Sequence, residues 1–142
     1  ALLPEDYMPD VHMRLVHYKR IASAIDEESL RQLRAELIDR FGLLPEGTQN
    51  LFRQTAIKLS AAPLGIRKID MYGESAIIEF SPDTNVDPVL LVTLISEQPK
   101  AYSLDRDQRL RLKWNDESDE ARFAAVELAI HTLSETMTPR GT

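Results

Sequence analysis

The sequence predicts a single α+β domain, and three observations predict it. Apolar residues recur at helical spacing over residues 11–61. Short alternating runs then follow over residues 66–114, interrupted by one helical segment. A final helical stripe closes the chain. Strands grouped between helices, rather than alternating with them one by one, point to a small antiparallel sheet of about four strands covered by about five helices. Doubly wound α/β is the alternative that this grouping disfavours. At 142 residues the chain has the common length of one domain and can bury a core without disulfides or metals.

Residues 1–10 carry two prolines and no periodicity, which reads as a linker or lead-in segment before a domain over residues 11–142. Asp10 is a suitable N-cap for a first helix from Val11 to about Ala24, in which Val11, Leu15, Tyr18, Ala22 and Ile25 share a face expected to meet the core. Asp26 caps the second helix, where Leu30, Leu33, Leu37 and Phe41 form a narrow apolar stripe and Gly42 stops the helix. Leu43-Leu44-Pro45 turns into a third helix over residues 46–61, with Leu51, Phe52, Ala56 and Leu59 on one side. Pro63 and Gly65 end it. The runs Ile66–Met71 and Ala76–Phe80 about Gly73-Glu74 predict a β-hairpin. Asp87-Pro88 then opens a short helix over Val89–Ser96 that Pro99 closes. A second strand pair, Ala101–Leu104 and Arg109–Trp114, flanks the polar turn at Asp105. Its second strand alternates Leu110, Leu112 and Trp114 with Arg109, Arg111 and Lys113. The last helix runs from about Ser118 to Thr136 on Phe123, Val126, Ile130, Leu133 and Met137. Ala121, Ala125 and Leu128 make a smaller second apolar face.

Composition excludes several function classes. Apolar residues are 43% and charged residues 28%, the mix of a globular chain. Acids outnumber bases 23 to 17, for a formal charge of −6, so no overall field attracts a phosphate backbone and direct nucleic-acid binding is not expected. With no cysteine there is no disulfide, thiolate metal site or thiol nucleophile, which suits a reducing cytoplasm. No apolar run reaches the ~20 residues of a membrane span, and the start lacks both a basic signal region and a methionine. The simplest expectation is a piece of a longer protein.

Catalytic and cofactor motifs are not recognisable. His12 and His17 would lie about 140° apart on a helix and cannot share a metal, while His131 stands alone beside the final stripe. There is no glycine-rich loop followed by lysine, and no serine in a nucleophile-elbow pattern. Neither cofactor nor metal is expected. Arg109, Arg111 and Lys113 beside Trp114 could bind a single strand, but three charges are few, and a solvated sheet face answered by Asp105, Asp107 and Asp116 is the simpler account. On the second helix, 100° steps from the apolar stripe put Glu28 and Asp39 almost opposite it and Glu36 to one side, so carboxylates face outward. Glu36 could pair only with Arg40 at i,i+4, worth a few tenths of a kcal/mol, or it could face a partner.

Against this background several strings stand out: Tyr7-Met8-Pro9-Asp10, Arg14-Leu15, Tyr18-Lys19-Arg20-Ile21-Ala22-Ser23-Ala24, and Glu36-Leu37-Ile38-Asp39-Arg40-Phe41-Gly42-Leu43-Leu44-Pro45. The order continues through Lys58-Leu59 and Leu64-Gly65-Ile66-Arg67-Lys68-Ile69. Together they resemble the C-terminal domain of the bacterial transcription-repair coupling factors. The specific match covers residues 4–69, and beyond it the agreement is in pattern and length. The resemblance implies a cytoplasmic multidomain parent, an ATP-driven DNA translocase that removes stalled RNA polymerase and recruits the excision-repair protein UvrA. Its terminal domain has no ATPase of its own. It folds back on the parent's N-terminal UvrB-like module and masks the surface that UvrA would use.

The domain so implied is monomeric, touches neither nucleic acid nor membrane, and competes only indirectly with UvrA. Carried onto this sequence, the clasp places Glu36, Asp39 and Arg40 at the interdomain interface, with the carboxylates meeting arginines of the masked module. Phe41 and Gly42 are its structural support, the one on the core stripe and the other capping the helix. Two rival readings stand beside it. One is a free-standing acidic interaction module. The other is a small carboxylate enzyme using Glu79, which has no partner acid, base or metal ligand at a recognisable spacing.

Overall fold

The computed structural model describes residues 3–135. They form a small α+β domain made of two compact units, one running to Leu59 and the other beginning at Ser60, in the last turn of the third helix.

The first unit contains α1 (Val11–Ala22), α2 (Glu27–Phe41) and most of α3 (Glu46–Ala61). Its helices start where the sequence provides caps. Asp10 Oδ1 accepts the backbone N–H groups of His12 and Met13 at 2.9 and 3.3 Å, and Asp26 Oδ1 accepts that of Ser29 at 2.7 Å. Such caps stabilise a helix by about 1 kcal/mol each. The lead-in segment has no periodicity, yet Leu3 and Met8 are buried and join Ile21, Leu30, Leu33, Leu37, Leu44, Leu51 and Phe52 in one apolar core. Its polar ends are tied down as well. The Arg14 guanidinium donates to the carbonyls of Met8 and Pro9 at 2.8 and 3.0 Å.

The orientation of α1 differs from the sequence expectation. Val11, Leu15, Tyr18 and Ile25, expected to face the core, are exposed, whereas His17 and Ile21 are buried and Met13 and Ala24 pack against the core. Both sets of residues recur at helical spacing, so periodicity alone could not choose between them. The choice follows from the anchoring of Arg14 to the lead-in segment and from the seat of His17 edge-on to Phe41, with ring centroids 6.0 Å apart. On α2 the expected stripe holds, with Leu30, Leu33 and Leu37 buried and Phe41 half-buried against the same core.

The second unit opens with a short 3-10 turn (Ala62–Leu64) ending at Gly65, which has φ +76°. The strands β1 (Ile66–Tyr72) and β2 (Ser75–Phe80) form the expected hairpin about Gly73, and α4 (Pro88–Glu97) follows with Asp87 accepting Val89 N–H at 2.9 Å. The strands β3 (Tyr102–Leu104) and β4 (Leu110–Lys113) come next, and α5 (Asp119–Glu135) ends the described chain. The sheet is antiparallel throughout, in the order β1-β2-β4-β3. Its inward row joins Leu104, Leu110, Ile78 and Ile69, and a second inward row joins Tyr102, Leu112, Ala76 and Met71. Ala76, Ile78, Leu110 and Leu112 are almost wholly buried, the burial that their alternation predicts. On α5, Phe123, Val126, Ile130 and Leu133 are buried as expected, while Leu128 of the second apolar face is exposed; Met137 lies outside the described residues.

Candidate functional site

The sequence-derived site residues lie on the last two turns of α2. Glu36 points out from the flank of the helix, and its closest partner is not Arg40 of its own helix but Arg20 of α1. The guanidinium nitrogens of Arg20 donate to Oε2 and Oε1 of Glu36 at 2.7 and 3.2 Å, a two-pronged pair, whereas Arg40 Nη1 stands 3.9 Å from Oε2. The hydrogen bond from Arg20 holds the Glu36 carboxyl below its ordinary range against the opposing effect of desolvation, and the same bond holds Arg20 protonated more firmly. Both side chains stay partly in solvent, 43% exposed for Arg20 and 36% for Glu36, so the pair positions the carboxylate more than it stabilises the fold.

Asp39 is exposed and has no ion-pair partner among the described residues. Glu28, further up the same helix, is held by Arg31 and Gln32. Of the outward carboxylates on α2, Glu28 and Glu36 are paired within the chain, while Glu27 in the first turn and Asp39 near the end are left to solvent. Arg40 lies over the Phe41 ring with its guanidinium carbon 5.1 Å from the centroid. Phe41 also meets Tyr7, with centroids 5.8 Å apart, and the edge of His17.

Below this surface the helix end is held by backbone geometry. Gly42 has φ +92° and ψ −169°, a conformation essentially reserved to glycine, and its N–H donates to Ile38 O at 2.9 Å. The Tyr7 hydroxyl donates to the carbonyls of Gly42 and Leu37 at 3.1 and 3.3 Å, tying the lead-in segment to the last turn of α2. Glu36 and Arg20 also border a shallow depression of about 410 Å³ floored by Leu33 and Ala24.

The structure thus brings Glu36, Asp39, Arg40 and Phe41 together on one helix end with Gly42 as its stop. Two participants that sequence reasoning did not assign are Arg20 and Tyr7. Both stand inside the strings that carried the family resemblance, but nothing local shows that Arg20 lies across from Glu36, because sixteen residues separate them.

Elsewhere the candidate chemical groups are scattered. His17 is buried, with Nδ1 lacking a hydrogen-bond partner, and burial is the first cause of a lowered pKa. His131 pairs with Glu135 at 3.1 Å on an exposed turn. Glu79 sits across from Lys68 on the sheet. Among the described residues no group of three His, Cys, Asp or Glu side chains is placed to hold a metal ion, and no helix is long and apolar enough to cross a membrane.

Comparison with known proteins gives a consistent result. Residues 1–91, more than half of the chain, match the TRCF domain family. The transcription-repair-coupling factor of Escherichia coli K12 is 44% identical over 111 residues, which is 78% of this chain and 10% of that protein. That of Haemophilus influenzae is 39% identical over 134 residues, covering 94% of this chain and 12% of the relative. The chain therefore spans about a tenth of the length of these curated relatives. The crystal structure of a C-terminal domain of transcription-repair coupling factor superposes with a TM-score of 0.76 at 18% identity, covering 95% of this chain and 87% of the other.

Proposed function

The chain belongs to the TRCF domain family, and from that membership we propose that it is the C-terminal domain of a transcription-repair-coupling factor and serves there as an intramolecular clasp. In this reading the α2 end docks on the UvrB-like module near the parent's N-terminus and masks the surface that UvrA uses, and engagement of stalled RNA polymerase releases it. The parent is a cytoplasmic ATP-dependent DNA translocase, while this domain is a monomeric regulator without catalysis of its own. Neither nucleic acid nor membrane is its ligand.

The observation that supports the clasp is the pairing pattern on α2. Arg20 holds Glu36 in place at the surface, and Asp39 beside it has no ion-pair partner among the described residues. A surface carboxylate held only by an exposed, exchangeable pair, next to a free one, suits a fork of arginines on a partner, since charge-assisted bonds to carboxylates are the strong and geometrically specific ones. Such a contact is also breakable. A masked population of about 99% needs only ~2.7 kcal/mol of net closing free energy, which a few charge-assisted hydrogen bonds supply.

The test is to titrate this chain against the separately produced UvrB-like module, with and without UvrA. Specific binding that UvrA displaces, and that Glu36→Lys weakens, is the expected result. Absence of binding, or binding indifferent to UvrA, would overturn the clasp.

A further inference from the structure

The outward face of the sheet in the second unit carries charge that the chain does not neutralise. Reading across the registered strands, one outward row runs Ser103, Arg111, Ile77 and Asp70, and the next brings Lys113, Ser75 and Tyr72 together. Arg111, Lys113 and Ser103 are exposed, Tyr72 is 55% exposed, and Ile77 is half-buried at the centre. The simple expectation for the basic strand was that nearby aspartates answer it, but they answer only its first residue. Asp105 and Asp107 pair with Arg109 at 2.8 and 3.4 Å, and Asp116 accepts the N–H of Ser118 at 2.8 Å. Arg111 and Lys113 have no ion-pair partner among the described residues, and neither has Lys100, which with Lys113, Glu74 and Trp114 lines a shallow depression of about 540 Å³ beside them.

We propose that this sheet face is a second docking surface, distinct from the α2 end, whose occupant is an acidic segment of a protein partner. Charge complementarity selects the occupant. Arg111, Lys113 and Lys100 stand without ion pairs among the described residues between the carboxylates of this side, of which Asp70 is answered by Lys68 at 3.5 Å, so on a chain of net charge −6 they are discrete cationic points for the carboxylates of an acidic partner. Ile77 makes the centre apolar, and Tyr72 at the end of the edge strand β1 adds contact area for a side chain placed between carboxylates. Arg111 and Lys113 are two positions apart on one strand and so about 7 Å apart, the spacing of alternate residues in an extended segment. A nucleic acid fits this face less well. A phosphate backbone presents uninterrupted negative charge, and Asp70, Glu74 and Glu79 interrupt any track for it here, whereas discrete carboxylates can meet Arg111, Lys113 and Lys100 singly.

The test uses this chain and a fluorescent peptide with glutamate at alternate positions and one central phenylalanine. Fluorescence anisotropy should show binding that weakens with salt, and amide shifts should localise to Tyr72, Ser75, Ile77, Ser103 and Arg111. The Arg111→Glu/Lys113→Glu variant should lose roughly tenfold or more in affinity, equivalent to about 1.4 kcal/mol. A charge-matched Lys19→Glu/Lys58→Glu variant, altered at exposed lysines outside the sheet, should bind as the parent chain does. Equal loss in both variants, or shifts confined to other surfaces, overturns the proposal. Tighter binding of an oligothymidylate of the same length at these residues overturns it in favour of a nucleic acid. The shift map on the unaltered chain keeps the question decidable if the double variant does not fold.

Discussion

If the α2 end docks as proposed, replacing Arg20 by alanine should tighten that docking and Glu36→Ala should weaken it. Arg20 occupies both oxygens of Glu36 at 2.7 and 3.2 Å, so on the proposed clasp an arginine arriving from the UvrB-like module must share or displace it. The internal pair is an exposed one, with side chains 43% and 36% accessible, and pairs of this kind contribute about 0.2–1 kcal/mol. Removing Arg20 returns that free energy to the incoming partner, a gain of about 1.4- to fivefold in affinity. Glu36→Ala removes a charge-assisted hydrogen bond worth about 1.5–3 kcal/mol, a loss of roughly tenfold or more. The two changes touch one network and must not add. In a Glu36→Ala background Arg20→Ala should have no effect, because nothing remains for it to release. Isothermal titration of the four chains against the module measures all of this in one double-mutant cycle, and thermal midpoints confirm that Arg20→Ala costs no more than about 1 kcal/mol of stability. If Arg20→Ala weakens docking as Glu36→Ala does, or keeps its effect after Glu36 is gone, Glu36 is not the shared acceptor and the interface lies elsewhere.

Gly42→Val should destabilise the domain by about 1–3 kcal/mol through backbone strain alone, since φ is +92° and no atom lies within 4 Å of the added Cβ. A thermal midpoint equal to that of the unaltered chain would show that the α2 stop tolerates a side chain. Met8→Ala should cost about 2–5 kcal/mol in urea unfolding because Met8 is wholly buried in the first unit. A loss below about 0.5 kcal/mol, the size of an ordinary surface substitution, would mean that the lead-in segment is detachable. His17 has a lowered pKa, first through burial and then through Arg20 and Arg40, with Glu36 opposing. The folded chain therefore binds its proton less tightly than the unfolded chain, so its stabilising contribution is complete above about pH 6.5 and is lost as pH falls below that value. His17→Leu should flatten the thermal midpoint between about pH 7 and pH 5, and an unchanged pH slope would place the titrating group elsewhere.

What the sequence determined by itself is what depends on neighbours within a few residues. Asp10, Asp26 and Asp87 mark helix starts because a side-chain oxygen reaches N–H groups two or three positions on. Gly42 and Gly65 mark stops because few other residues adopt their backbone angles, and the alternation in β2 and β4 shows which side of the sheet is buried. The family strings were legible for the same reason, and they located Glu36, Asp39 and Arg40 on one helix end.

Tertiary structure decided what depends on residues far apart in the chain. It chose His17 and Ile21 over Leu15 and Tyr18 as the buried side of α1, two faces that periodicity could not rank. It gave Glu36 a closer partner across sixteen residues beside the looser local pair with Arg40, and it set β4 between β2 and β3. That strand order places Arg111 and Lys113 in the interior of a sheet face, away from the aspartates that hold Arg109. Caps and alternation are satisfied within one turn or one strand, whereas facing, pairing and strand order are settled only when separate elements compete for the same core and the same counter-charges.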